Sequence, residues 1–384
     1  MSAPPASPPI TGRFIRSVLL RTALLLLALN LAFAWLDPLP LLGRLSMYNA
    51  VFPGRLRLPY GENPARDYNL SPYSLEAMIA SHEIAGAAPT PDELRVLVLG
   101  DSSIWGFLLQ ADQTVAAQLD RAGLVLPDGR RVRAFNLGYP IMSLTKDLLI
   151  LQRTLPYQPD LVIWLVTLES FPRPKQLYPP LLQHNAASVR SLIEAYNLVL
   201  DPLDPRLMDD TFWGRTLIGR RRDLADLLRL QLYGVLWAAT GVDQEIPETY
   251  TPRMEDLPAD ITFQGFAPGK LTPEDLAFDV LAAGHRLAGQ TPVLIVNEPM
   301  FVSRGANSDI RYNFYYPRWT YDDYRAWLAQ QCAAQGWQCL DLWQAIPADE
   351  FTDSAIHYTP DGARLLAERL GAWIQAWAAS GAQD

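Results

Sequence analysis

The apolar positions of this chain follow two different patterns. Near the N-terminus an apolar run extends from Thr22 to Leu36, behind Arg13, Arg16 and Arg21. Counted from Ser17 it is about twenty residues long, the length a helix needs to cross a bilayer. Arg21 sits close enough to its start to snorkel to the headgroups. Beyond residue 92 the pattern changes to short apolar runs separated by amphipathic stretches. The runs are Val96–Leu99, Val132–Asn136, Leu161–Val166, Pro292–Asn297 and a shorter one around Trp337–Leu342. Continuous apolar runs of this length suit strands covered on both faces of a parallel sheet. The stretches between them, such as Ser143–Leu155 and Tyr321–Ala334, have helical spacing, and a last helix is expected from Pro360 to Ala378. Strand alternating with helix predicts an α/β fold built on an open, doubly wound parallel sheet.

The same pattern divides the chain. Residues 1–12 are rich in Pro and Ser and read as a disordered tail. Residues 13–37 hold the apolar helix, 38–92 read as a juxtamembrane linker with a helical stretch at "SPYSLEAMIASHEIAG", and 93–384 form the α/β domain. The gap between the third and fourth runs is far too long for a simple crossover. It contains helical patterns such as "SVRSLIEAYNLVL" and "DLADLLRLQLYGVLWAATG", so a helical insertion is expected at about 172–288. Its apolar residues form its own core, line a substrate cleft or rest near a membrane.

Charge sharpens the picture of the N-terminus. The arginines precede the apolar run, which places the N-terminus in the cytoplasm and the main domain outside. "AFA" at Ala32–Ala34 resembles a signal-peptidase site, so a cleaved signal competes with an anchor, and a buried core helix is a third reading. Overall the 384 residues carry a formal charge of −9 and show no basic stripe interleaved with aromatics, which argues against a nucleic-acid partner. The run Arg220-Arg221-Arg222 reads as a solvated helix turn. Cys332 and Cys339 flank a turn at Gly336; they form a disulfide in an oxidising compartment or remain a reduced buried pair. Their spacing is not that of a CxxC motif, and no His or Cys cluster completes a zinc site. No cofactor or metal is implied.

Ligands of open α/β sheets sit at the carboxyl ends of the strands. There the first strand delivers "GDS", Gly100-Asp101-Ser102, and the second "NLG", Asn136-Leu137-Gly138. Ser102 is either a nucleophile or a helix cap. Gly138 is either an unobstructed backbone donor to an oxyanion or a turn glycine. Near the other end of the chain, "FTDSAIHYTPDG" sets Asp353 and His357 just before the last helix. A serine hydroxyl needs a base within hydrogen-bond reach, and that base needs an orienting acceptor. Of the four histidines, His285 lies in a helical pattern, and His82 and His184 lack a comparable context.

Together these blocks resemble the SGNH, or GDSL-type, hydrolases, in order over residues 94–380. The resemblance implies a flavodoxin-like three-layer α/β/α sandwich and esterase, lipase, deacetylase or acyl-transfer chemistry. By the same resemblance Ser102 is the nucleophile, its own N–H and that of Gly138 are oxyanion donors, His357 is the base and Asp353 its partner. Two features depart from the family. Its third block supplies an Asn amide to the oxyanion, whereas "VTLESF" places Glu169 there, and an ionised carboxylate cannot donate. Asn297 at the fourth strand end is a candidate replacement for that amide, and Glu169 either opposes the oxyanion or points away toward a cation. Asp353 also precedes His357 by four residues, where the family has three. The expected activity is therefore serine-dependent ester hydrolysis or acyl transfer on glycans or lipids of the cell envelope. The rival readings are a silent module that binds envelope glycans, with Asn297, Glu298 and the aromatics of "RYNFYYPRW" in its cleft, and a domain that docks an envelope assembly.

Overall fold

The computed structural model of the protein describes residues 11–61 and 73–381. Most of the expected N-terminal tail and residues 62–72 of the expected linker lie outside the described residues. Five strands, β1 (Glu93–Leu99), β2 (Arg131–Asn136), β3 (Leu161–Val166), β4 (Val293–Asn297) and β5 (Gln338–Asp341), form one sheet in the order β2-β1-β3-β4-β5. Every neighbouring pair is parallel. The chain winds outward from β1 in both directions, so the crevice for a ligand opens at the carboxyl ends of β1 and β3.

The strands are buried on both faces, and alternate residues feed two cores. Leu97 and Leu99 of β1 join Trp164, Val166 and Ile295 on one side, while Val96 and Val98 join Ile163, Leu165 and Val296 on the other. This two-sided burial is why the runs read as continuously apolar.

In chain order the helices are α1 (Gly12–Leu36), α2 (Leu39–Gly43), α3 (Met47–Val51), α4 (Leu75–Ala80), α5 (Glu83–Gly86), α6 (Ser102–Trp105) and α7 (Val115–Arg121). They continue with α8 (Leu144–Thr154), α9 (Pro180–Gln183), α10 (Ala186–Tyr196), α11 (Arg221–Thr240), α12 (Phe278–Ala288), α13 (Arg318–Gln335) and α14 (Pro360–Ala379). Helices α8, α12 and α13 cover the first face, and α7 and α14 cover the second, which gives three layers. Gly284 lets α12 approach the sheet: a Cβ there would lie 2.3 Å from Cζ3 of Trp164. So α12 is the crossover helix between β3 and β4, and the inserted material precedes it. Helix α1 is long and apolar enough to cross a membrane and lies near the N-terminus. Cys332 and Cys339 are joined by a disulfide that ties the end of α13 to β5.

Candidate active site

The GDS turn is shaped by local sterics and one cap. Gly100 follows β1, and a Cβ on it would lie 2.7 Å from Cγ1 of Ile104. Asp101, not Ser102, caps α6: its carboxylate accepts the Ser103 N–H at 2.9 Å. The Ser102 hydroxyl is therefore free of capping duty. It lies 2.9 Å from Nε2 of His357, whose Nδ1 is 2.8 Å from Oδ1 of Asp353. Residues 255 positions apart thus meet at the switch point of the sheet. The Phe107 ring, 4.8 Å from the imidazole centroid, covers one face of His357.

The loop from Thr352 to His357 accommodates the four-residue spacing. It closes on itself through the Thr352 N–H, which donates to the His357 carbonyl at 2.8 Å. The Thr352 hydroxyl is 3.2 Å from Oδ1 of Asp353. Burial raises the Asp353 carboxyl, but the hydrogen bond and charge of His357 outweigh it and hold the group below its ordinary value.

Beneath Ser102 lies a set of buried polar side chains, of which only Glu298 had been expected near a cleft. Ser103 donates from its hydroxyl to Glu298 at 2.6 Å, and the Tyr358 hydroxyl is 3.4 Å from the same carboxyl oxygen. Burial, with nearby Asp101, pushes Glu298 well above the usual carboxylate range. Lys146, fully buried, donates to the carbonyls of Gly100 (2.9 Å) and Tyr139 and pairs with Asp147 at 2.8 Å. Burial moves Asp147 up to about 6 against the pull of Lys146. Asn136 donates to the Ile104 carbonyl at 2.7 Å, which ties the end of β2 to α6. The signal for these residues was present in "NLG" and "NEP" as polar groups ending apolar strands, where a buried polar side chain has to be satisfied.

Three of the expected oxyanion residues are engaged elsewhere. The Gly138 N–H donates to Oδ1 of Asn136 at 3.0 Å. Asn297 donates to Asp341 at 2.8 Å and accepts from Tyr321 and Tyr324, each at 3.2 Å, so its amide braces β4 against β5 and α13. This corrects the expectation that Asn297 replaces the missing family amide. The Glu169 carboxylate is held by Lys175 and by Gln264 at 3.0 and 3.2 Å, so it takes the cation-paired alternative. Among the described residues no acceptor takes the Ser102 N–H.

A cavity of about 640 Å³ opens beside His357 and Asp353, walled by Tyr250, Phe301, Phe314 and Tyr315. Tyr250 belongs to a strap from the insertion. The strap is fastened to the loop that carries Asp353 and His357 by Arg253, whose N–H donates to Thr352 O at 2.9 Å and whose guanidinium donates to Phe351 O at 2.6 Å. "RYNFYYPRW" thus contributes Phe314 and Tyr315 to the wall.

No protein-family model matches the chain, and no curated protein does. Solved structures are similar to it. A lipase/acylhydrolase from Enterococcus faecalis is 15% identical, with a TM-score of 0.35 over 73% of this chain and 95% of its own. The aryl esterase of M. smegmatis is 12% identical, with a TM-score of 0.33 over 73% and 98%. A carbohydrate acetylesterase family member from Sinorhizobium meliloti is 12% identical, with a TM-score of 0.31 over 74% and 99%. Likenesses this distant add nothing to what strand order and site geometry already establish. The fold is the one that resemblance to the SGNH, or GDSL-type, hydrolases implies: a parallel five-stranded sheet in three layers, with the GDS turn at its switch point.

Proposed function

We propose that this chain is a serine-dependent ester hydrolase or acyltransferase, with Ser102 as nucleophile, His357 as general base and Asp353 as the acceptor that orients the imidazole. The observation that carries this reading is the unbroken hydrogen-bonded line from Ser102 through His357 to Asp353 at 2.9 and 2.8 Å. As Oγ bonds to the acyl carbon, Nε2 takes the hydroxyl proton, and the developing imidazolium is stabilised by Asp353. The tetrahedral intermediate breaks its bond to the ester oxygen, which leaves with that proton. Water, or an acceptor hydroxyl, then gives a proton to His357, attacks the acyl-enzyme and frees Ser102. The Ser102 N–H, unpaired at the start of α6, is the oxyanion donor that the geometry leaves available. The aromatic cavity beside His357 supports an acyl ester with a flat or apolar face, as in the glycans and lipids of a cell envelope. That setting is supported by the apolar helix α1 behind its arginines and by the disulfide. The test is labelling of the purified full chain by a fluorophosphonate probe, with loss of the label in Ser102→Ala. A folded parent that takes no label overturns the reading.

A second reading, a silent module that binds envelope glycans, is favoured by the commitment of Gly138 and Asn297 to structural bonds, with a carboxylate at Glu169. It predicts acetylated-glycan binding by the parent chain and by Ser102→Ala alike, with no turnover and no probe labelling.

A further inference from the structure

We propose that α11, together with α2 and α3, forms a foot that lies in the headgroup region of a lipid bilayer, a second and monotopic membrane contact besides α1. The proposal rests on α1 being a membrane span. Within α1 only two described residues are buried, Asn30 and Ala34, one turn apart on one face. The insertion meets this end of the helix. Asn30 accepts the Ile218 N–H at 2.9 Å, and Arg215 lies 3.9 Å from Asp37, the cap of α1. Asn30 precedes the end of α1 by six residues, about 9 Å at the helical rise. The segment from Arg215 to Ile218 therefore runs alongside the last turns of the apolar helix, inside the thickness that α1 would cross. It satisfies the amide oxygen of Asn30, which would be costly to leave unpaired in hydrocarbon. Ile218 within it is 55% exposed, and Trp213, two residues before it, is 69% exposed.

Helix α11 starts directly after this segment, and its outer face carries a stripe of leucines beside one exposed cation, Arg229. Leu228, Leu232 and Leu236, on successive turns, are 60%, 57% and 55% exposed, whereas Leu230, Gly234 and Trp237 face inward. A helix on a water-facing surface would carry polar residues at those positions. The chain that leaves α1 runs beside α11. The Tyr48 N–H donates to Gln231 at 3.1 Å, and its ring occupies the space that Gly234 leaves, where a Cβ would lie 2.6 Å away. This stretch also turns apolar side chains outward, with Leu45 60%, Met47 77% and Val51 75% exposed. Two stretches, distant in sequence and side by side in space, thus present one apolar surface continuous with the exit of α1. The exposed Arg221 and Arg222 at the start of α11 suit lipid phosphates. A bilayer surface accounts for the apolar face, its junction with α1 and the flanking cations together.

The test places a spin label on Leu232→Cys and, separately, on Val51→Cys in the full chain reconstituted into phosphatidylcholine–phosphatidylglycerol vesicles. The native cysteines are held in their disulfide. A label on Arg364→Cys, on the outer face of α14, is the water reference. Flotation with the vesicles and resistance to carbonate extraction report α1 separately. The proposal expects labels at 232 and 51 to collide readily with oxygen and poorly with a water-soluble nickel chelate, unlike the reference. The triple change Leu228→Glu, Leu232→Glu and Leu236→Glu should still float, yet return the label at 51 to water-like values. Water-like labels at 232 and 51 in a chain that floats overturn the foot while leaving the anchor. Labels shielded from both reagents overturn it in favour of a second copy of the chain. A chain that fails to float overturns the anchor and the foot with it.

Discussion

Gly138 lies against the backbone of Trp105, so close that a Cβ on the glycine would sit 2.4 Å from Trp105 N and 2.7 Å from the Ile104 carbonyl carbon. The atoms in the way are backbone atoms of the turn that carries Ser102, and they cannot rotate aside. Gly138→Ala must push α6 away from β2. Overpacking of this kind costs ~1–3 kcal/mol of stability. If Ser102 is the nucleophile proposed above, displacing it by about 1 Å costs on the order of 10²-fold in turnover. Melting temperature and ester turnover, measured together, check this; unchanged turnover would mean that α6 does not depend on the contact.

The role proposed for Asp353 makes a separate prediction. Asp353→Asn keeps the shape of the loop but offers an amide to Nδ1 of His357, which favours the wrong tautomer for accepting the Ser102 proton. The expected loss is ~10⁴-fold in turnover with little change in stability. Kinetics beside a melting curve separate the two. A mild loss would make Asp353 a loop residue only.

The strands and the GDS turn were legible because their determinants are local. A strand covered on both faces has to be continuously apolar, and a capped turn after it needs Gly and Asp at fixed offsets. Every strand was anticipated to within a few residues, and β3 at both ends. The engagement of the polar groups was not legible. Whether the Asn297 amide faces an oxyanion or Asp341 depends on where β5 and α13 pack, and both lie beyond it in the sequence. Glu169 likewise found Lys175 six residues on and Gln264 on a distant loop. Ser103 could not be linked to Glu298 from spacing alone, since 195 residues separate them.

Lys175 is the partner that makes Glu169 tolerable in a mostly buried position. Lys175→Met leaves a carboxylate with only Gln264. The lysine end is more than a quarter exposed, so solvent screens the pair and the expected cost is modest, about 1–2 kcal/mol. Glu169→Gln with Lys175→Met should recover most of it, because the charge is gone while the amide still bonds. Urea denaturation of the two single variants and the double variant completes the cycle; additive losses would contradict the coupling.

His82 gives the fold a sensitivity to acid. Its Nε2 is 2.9 Å from the Asn136 carbonyl, and its Nδ1 accepts the Ile84 N–H at 3.1 Å. That pairing requires the neutral ring, and burial lowers its pKa to about 4. The folded value lies below the ordinary one near 6.5, so the contribution to stability is intact above that value. It is lost progressively as pH falls toward 4, by about 3 kcal/mol in all. His82→Gln, which keeps a donor and an acceptor, should flatten the dependence of unfolding free energy on pH between those limits. An equally steep profile in the variant would assign the acid sensitivity to other groups.

Glu298 works in the opposite direction. Its carboxyl is buried, accepts from Ser103 and keeps Oε1 without a partner, close to Asp101. Burial favours the neutral form, so the folded-state pKa is raised above the unfolded value. The folded chain then holds a proton that the unfolded chain has released, and stability falls as pH rises from the ordinary carboxylate range toward the folded-state value. Glu298→Gln preserves the acceptor for Ser103 and removes the charge. The variant should therefore match the parent near pH 4 and exceed it near pH 8 in the same denaturation assay. Because the Ser103 acceptor is kept, fluorophosphonate labelling at Ser102, the proposed nucleophile, should survive the change. A variant less stable than the parent near pH 8 would show that Glu298 is ionised in the fold and that its charge is compensated by a neighbour.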